Sequence, residues 1–148
     1  QFLLRAIEKA NDSVKAGGFP AGAIVVKDDE IVSEAVSVGN ILHDATAHGE
    51  TTAIRDACKR LETTDLSGAT LYASMEPCIL CLGSAMWSSI SRIVFACSSD
   101  KVSSEYYGGS YDQAPINASF NHPLEIVQVA ELEEKSLEVV RNWEKTLG

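Results

Sequence analysis

The chain holds 148 residues, 45% hydrophobic and 22% charged, which is ordinary globular usage and excludes a disordered tail or a coiled coil. Its 21 acidic against 12 basic residues leave a formal charge of −9, a field that repels phosphate backbones and counts against a nucleic-acid partner. No apolar run reaches the roughly 18 to 20 residues of a membrane span and no signal-peptide pattern opens the chain, so we expect one cytoplasmic domain over residues 1–148.

From Phe2 to about Ala16, apolar residues recur at three- and four-residue steps, so the spacing predicts a helix with one stripe against a sheet. Gly17-Gly18 ends it and Pro20 prevents its resumption. Gly22 to Lys27 and Ile31 to Val38 are β-branched runs joined through Asp28-Asp29-Glu30, a hairpin pattern. A second helix is expected from about Ala47 to Leu61, a strand at Thr70 to Ala73, a helix from Cys78 to about Ser88 and a strand at Arg92 to Cys97. The last strand is almost wholly apolar, as one covered on both faces would be. Ser98 to His122, rich in Tyr, Gly, Asn and Ser, reads as a long loop with one short helix, a length common among functional lids. Glu125 to Val129 is a fifth strand and Glu133 to Leu147 a final helix, whose acidic start suits the helix dipole. This order gives an α/β fold, a three-layer α/β/α sandwich with one hairpin and otherwise mainly parallel pairing.

The four cysteines, Cys58, Cys78, Cys81 and Cys97, lie in a chain long enough for its own core, so metal binding or burial is expected rather than disulfides. Cys58 and Cys97 fall on apolar faces and read as core. His48-Gly49-Glu50 and Pro77-Cys78-Ile79-Leu80-Cys81 each open a helix at the same rim of the sheet, where ligands sit in open α/β folds. Cys78 and Cys81, three apart, share a helix face. With His48 they make two thiolates and an imidazole for one Zn2+, leaving the open fourth position of catalytic sites. Zinc lowers the pKa of bound water toward about 7, and Glu50, two residues from the histidine, is placed to carry protons.

The pair of motifs resembles the cytidine deaminase-like superfamily, whose nucleobase deaminases share His-X-Glu and Pro-Cys-X-X-Cys. The resemblance runs from Gly17 to about Cys97 and implies a five-stranded mixed sheet, one Zn2+ per chain, a homodimer, and hydrolytic loss of an exocyclic ring amine. Thr46-Ala47-His48-Gly49-Glu50 and Met75 to Cys81 look most like the branch of guanine deaminases, fungal-type cytosine deaminases and tRNA adenosine deaminases. Gly49 is similar to the cytosine deaminase motif, whereas Cys81-Leu82-Gly83 followed by Trp87 is similar to guanine deaminase. One departure concerns substrate reading: these relatives carry an asparagine eleven residues before the zinc histidine, and this chain has Ser37, with Asn40 out of register. The acidic residue of guanine deaminases is likewise absent at Gly108-Gly109, with Glu105 and Asp112 nearby.

Expected substrate contacts are Ser37, Ala47, Trp87, Tyr106 and Tyr107. Trp87 either stacks on a flat base or fills the core. The tyrosines of the long loop, with Tyr111 and Phe120, either close over substrate or form a dimer contact. His43 and His122 read as solvated loop residues. The leading expectation is deamination of a small free base of the guanine, cytosine or isocytosine type; the alternatives are a tRNA adenosine deaminase and an inactive zinc-stabilised subunit.

Overall fold

The computed structural model describes residues 1–147. Helix α1 (Phe2–Lys15) turns Leu3, Ala6, Ile7 and Ala10 to the sheet. Strands β1 (Gly22–Lys27) and β2 (Glu30–Val36) form the expected hairpin, Lys27 opposite Glu30. Asp28 and Asp29 take φ of 53° and 61°. A two-residue turn matched to the right-handed strand twist requires left-handed backbone at both positions, and short polar side chains tolerate it.

A one-turn helix the sequence did not announce, α2 (Gly39–Leu42), precedes α3 (Gly49–Leu61), which begins two residues later than expected. Strand β3 (Thr70–Met75), α4 (Ile79–Trp87) and β4 (Arg92–Cys97) follow. The long segment from Ser98 winds through 3-10 turns at Ser99–Lys101 and Ser104–Tyr107 and a short α5 (Ala114–Ala118) before β5 (Glu125–Gln128) and α6 (Glu133–Lys145).

The five strands lie in the order β2-β1-β3-β4-β5. Beyond the hairpin, pairing is mainly parallel as expected, for β3–β4 and β4–β5; the one antiparallel exception is β1–β3, with Ala23 opposite Ala73. The reason is topological. Helix α3 carries the chain from β2 across β1, so β3 runs parallel to β2 and therefore antiparallel to the strand between them.

Alternating side chains of β4 serve two cores: Ile93 joins α3 and α4 on one face, whereas Val94 and Ala96 join α1 and α6 on the other. A buried polar relay fastens α6 to this stack. Ser136 Oγ donates to the Ser74 carbonyl at 2.7 Å, and Ser74 Oγ accepts the Gly22 amide at 3.1 Å. Among the described residues no helix is long and apolar enough to cross a membrane.

Gly22 lets α1 touch β1: a Cβ there would lie 2.4 Å from the Ala10 amide nitrogen and 2.5 Å from the Lys9 carbonyl carbon. Gly83, within α4, has nothing within 4 Å of its added Cβ. Gly22→Ala is expected to cost about 1–3 kcal/mol by forcing the layers apart, while Gly83→Ala gains about 0.5–1 kcal/mol of helix stability. Urea melts of both variants check this, and equal midpoints would contradict the close contact.

Candidate active site

Two helix starts converge on one point. His48 is the N-cap residue of α3 and Cys78 that of α4, both with extended backbone (ψ of 163° and 179°), and neither side chain is used up in a capping hydrogen bond. Cys81 lies one turn into α4 and is fully buried. His48 Nδ1 is 3.5 Å from Cys78 Sγ and 3.6 Å from Cys81 Sγ, and the two sulfurs are 3.7 Å apart. With Zn–S near 2.3 Å and Zn–N near 2.0–2.1 Å, tetrahedral ligands stand about 3.6 Å apart for a sulfur–nitrogen pair and about 3.8 Å for two sulfurs. The three donors therefore fit one zinc ion without rearrangement. No fourth His, Cys, Asp or Glu side chain among the described residues joins the set.

The protons of the three groups are shared unevenly. The hydrogen bond to Cys81 holds Cys78 down at about 4, against the opposing effect of burial and with further help from His48. The partner sulfur moves the other way: its bond to Cys78, then burial, raise Cys81 well above the ordinary thiol range. His48 is raised, first by its hydrogen bond to Cys78. A metal ion thus takes the place of protons that the site already confines.

Glu50, in the first turn of α3, is only 5% exposed. Burial, then the negative charge of Cys78, push its carboxyl up to about 7. A carboxyl poised there exchanges protons readily near neutral pH.

His48, Glu50 and Cys78 line a cavity of about 580 Å³, and Cys81 is buried outside its lining. One wall is the segment after β2, with Ser37, Asn40 and Asp44. Asn40 Nδ2 donates to the Gly17 carbonyl at 2.9 Å, and Asp44 Oδ1 accepts the Thr46 amide and hydroxyl at 2.9 and 2.7 Å. The hydroxyl bond, then the amide bond, hold Asp44 below the usual carboxylate range. The facing wall is aromatic. Phe19, Tyr106 and Trp143 meet edge to face with centroids 5.1 to 5.6 Å apart, and the Tyr106 hydroxyl donates to Glu144 at 2.6 Å. The lining includes acidic Asp44, Glu50, Glu76 and Glu105, and neither Lys nor Arg.

Of the expected substrate contacts, Ser37, Tyr106 and Tyr107 line this cavity. Ala47 does not: it is 1% exposed, behind the wall, where its carbonyl accepts the Val38 amide at 3.1 Å. Trp87 is corrected more sharply. It neither stacks in the cavity nor fills the core, but stands 80% exposed at the end of α4. Cys97 is buried and Cys58 packs against the core, as expected. His43 and His122 are exposed, and Phe120 packs on the core rather than closing the cavity. Asp112 accepts the Ala114 amide at the start of α5, whereas Glu105 lines the cavity. Phe19, Asp44 and Trp143 were not singled out from the sequence. For Phe19 there was one signal, an aromatic placed between Gly18 and Pro20 with no stripe to belong to.

Residues 1–97 match the cytidine and deoxycytidylate deaminase zinc-binding region. The chain belongs to this family. It is 42% identical over 95 residues to a tRNA-specific adenosine deaminase of Aquifex aeolicus, a match covering 64% of this chain. It is 44% identical over 96 residues, again 64% of this chain, to a guanine deaminase of Bacillus subtilis. The chain spans 63% and 62% of the length of these two relatives. A structure from a study of A-to-I editing by tRNA:A34 deaminases superposes with a TM-score of 0.82 at 26% identity, covering 93% of this chain and 97% of that one. In this family member, His48, Cys78 and Cys81 are the residues positioned to hold the zinc.

Thiol chemistry reports the site directly. In metal-free protein at pH 6, iodoacetamide is expected to modify Cys78, a thiolate at any pH well above 4, and to spare Cys58 and Cys97, whose thiols burial raises, Cys97 to about 12. Zinc added first should block the reaction. Peptide mapping that finds even labelling of all four cysteines, or no protection by zinc, would contradict the assignment.

Proposed function

We propose that the protein is a hydrolytic deaminase of a small free amino-heterocycle of the guanine, cytosine or isocytosine type, releasing ammonia. The observation that carries the reading is the cavity lining: four acidic residues and an aromatic wall, with no Lys or Arg to meet a phosphate. A volume of about 580 Å³ suits one flat ring system with water.

When bound, zinc supplies the Lewis acidity that makes water a nucleophile near neutral pH. Glu50 takes the proton of the attacking water and passes it to the ring nitrogen beside the amine-bearing carbon. As the new C–O bond becomes a carbonyl and the C–N bond breaks, Glu50 delivers the second proton and the amine leaves as ammonia. Its burial keeps bulk water from short-circuiting that transfer. Phe19, Tyr106 and Trp143 offer ring faces and edges to a planar substrate, while Ser37, Asn40, Asp44 and Glu105 offer polar groups to its edge.

The second reading, a tRNA adenosine deaminase, is favoured by the similarity to the Aquifex aeolicus enzyme. Such a substrate needs a cationic track for its backbone. Helix α6 offers only Lys135, Arg141 and Lys145 among four glutamates, and Arg141 is paired to Glu134. Its Trp143 also stands in the aromatic wall.

Ammonia release measured over a panel of free bases, nucleosides and an anticodon stem-loop RNA discriminates the readings. Turnover of one or more free bases with none on the RNA is expected; turnover of the RNA alone would overturn the free-base reading. Glu50→Gln should keep its metal and lose about 10²–10⁴-fold in turnover on whichever substrate reacts. A variant as active as the parent would refute the proton transfer.

A further inference from the structure

We propose that residues 107–113 form a positioning strap for the zinc-ligand turn, with Tyr107, Tyr111 and Gln113 holding the backbone on both sides of Cys78. The inference rests on His48, Cys78 and Cys81 being the zinc ligands.

The turn from Glu76 to Cys78 lies between the end of β3 at Met75 and the start of α4 at Ile79. Its backbone therefore has little regular structure to bond with. The Glu76 amide reaches the Cys97 carbonyl at 2.7 Å, and the Cys78 carbonyl accepts the Leu82 amide at 2.9 Å. Four groups remain: the carbonyls of Glu76 and Pro77, the Cys78 amide, and the Ile79 amide, which as a first-turn donor has no partner within its helix.

All but the Cys78 amide are met by side chains of one short segment. The Tyr107 hydroxyl donates to the Glu76 carbonyl at 2.6 Å. Gln113 Nε2 donates to the Pro77 carbonyl at 2.7 Å. The Tyr111 hydroxyl accepts the Ile79 amide at 3.1 Å. Gly108 and Gly109, at φ of 73° and 151°, let the chain reverse between the two tyrosines. Gln113 keeps this orientation although its Oε1 is buried with no partner among the described residues. The bond to Pro77 therefore sets how that amide is turned.

Metal sites tolerate donor errors of only about 0.2 Å, and outer partners that orient the ligands are worth about 10–100-fold in affinity. Loosening Glu76, Pro77 or Ile79 moves the Cys78 sulfur relative to Cys81 and His48. The coupling runs both ways. Residues 108, 110, 111 and 112 are exposed, so the strap has little apolar anchorage of its own and is steadied by the turn it grips. Tyr107 also lines the main cavity, but Tyr111 and Gln113 act apart from substrate reading, because they lie outside that cavity, against a smaller hollow of about 220 Å³.

The test uses the full chain and reads the metal. Tyr111→Phe and Gln113→Leu, singly and together, are titrated with zinc against a chromophoric chelator and loaded with Co2+ for absorption spectra. Each single change is expected to weaken zinc by several-fold and the pair by about 10–100-fold, with altered cobalt bands and with turnover restored by excess zinc at unchanged KM. Zinc affinity and cobalt bands identical to the parent would overturn the strap, even if thermal stability falls. Cys78→Ser serves as the control: if it binds zinc as tightly as the parent, the ligand assignment itself fails rather than the strap.

Discussion

One imidazole nitrogen and two sulfurs held 3.5 to 3.7 Å apart are a costly arrangement for a chain of net charge −9. Without a cation at their centre the three groups must trade protons, as the opposed shifts of Cys78 and Cys81 record. With zinc, two thiolates balance the ion and a corner is left for chemistry. Much of the architecture serves this point: parallel pairing of β3 with β4 and the crossover through α3 bring two helix starts to one rim. The relay from Ser136 through Ser74 to Gly22 ties α6 to the strands beneath that rim.

The cavity above the donors adds a second constraint. Its acidic lining favours a ring that presents hydrogen-bond donors and disfavours phosphate, and it sits beside a carboxyl that burial has raised to about 7. The same feature therefore bears on proton transfer and on substrate choice. The aromatic wall depends on three distant segments, Phe19 after α1, Tyr106 in the long loop and Trp143 in α6. Under the proposed function, substrate preference is a property of how those segments pack rather than of the zinc motifs.

What could be read in the sequence follows from how local its cause is. The Asp28-Asp29 turn, the stripe of α1 and the apolar run of β4 are local, and the structure keeps them nearly residue for residue. The zinc donors were legible because two short motifs at helix starts fix them. Trp87 was not, because its burial depends on what covers α4, and periodicity alone does not name a neighbour. Asp44 was obscured by α2, a single turn too short to leave a pattern. The antiparallel β1–β3 pair follows from the crossover, which strand composition does not encode.

Zinc K-edge X-ray absorption on the purified protein tests the central claim most directly. The account predicts one zinc per chain, with two sulfurs at about 2.3 Å, one imidazole nitrogen at about 2.0–2.1 Å and a single further light atom that changes when a ring-bearing inhibitor binds. A shell of four protein ligands, or a spectrum with fewer than two sulfurs, would contradict it.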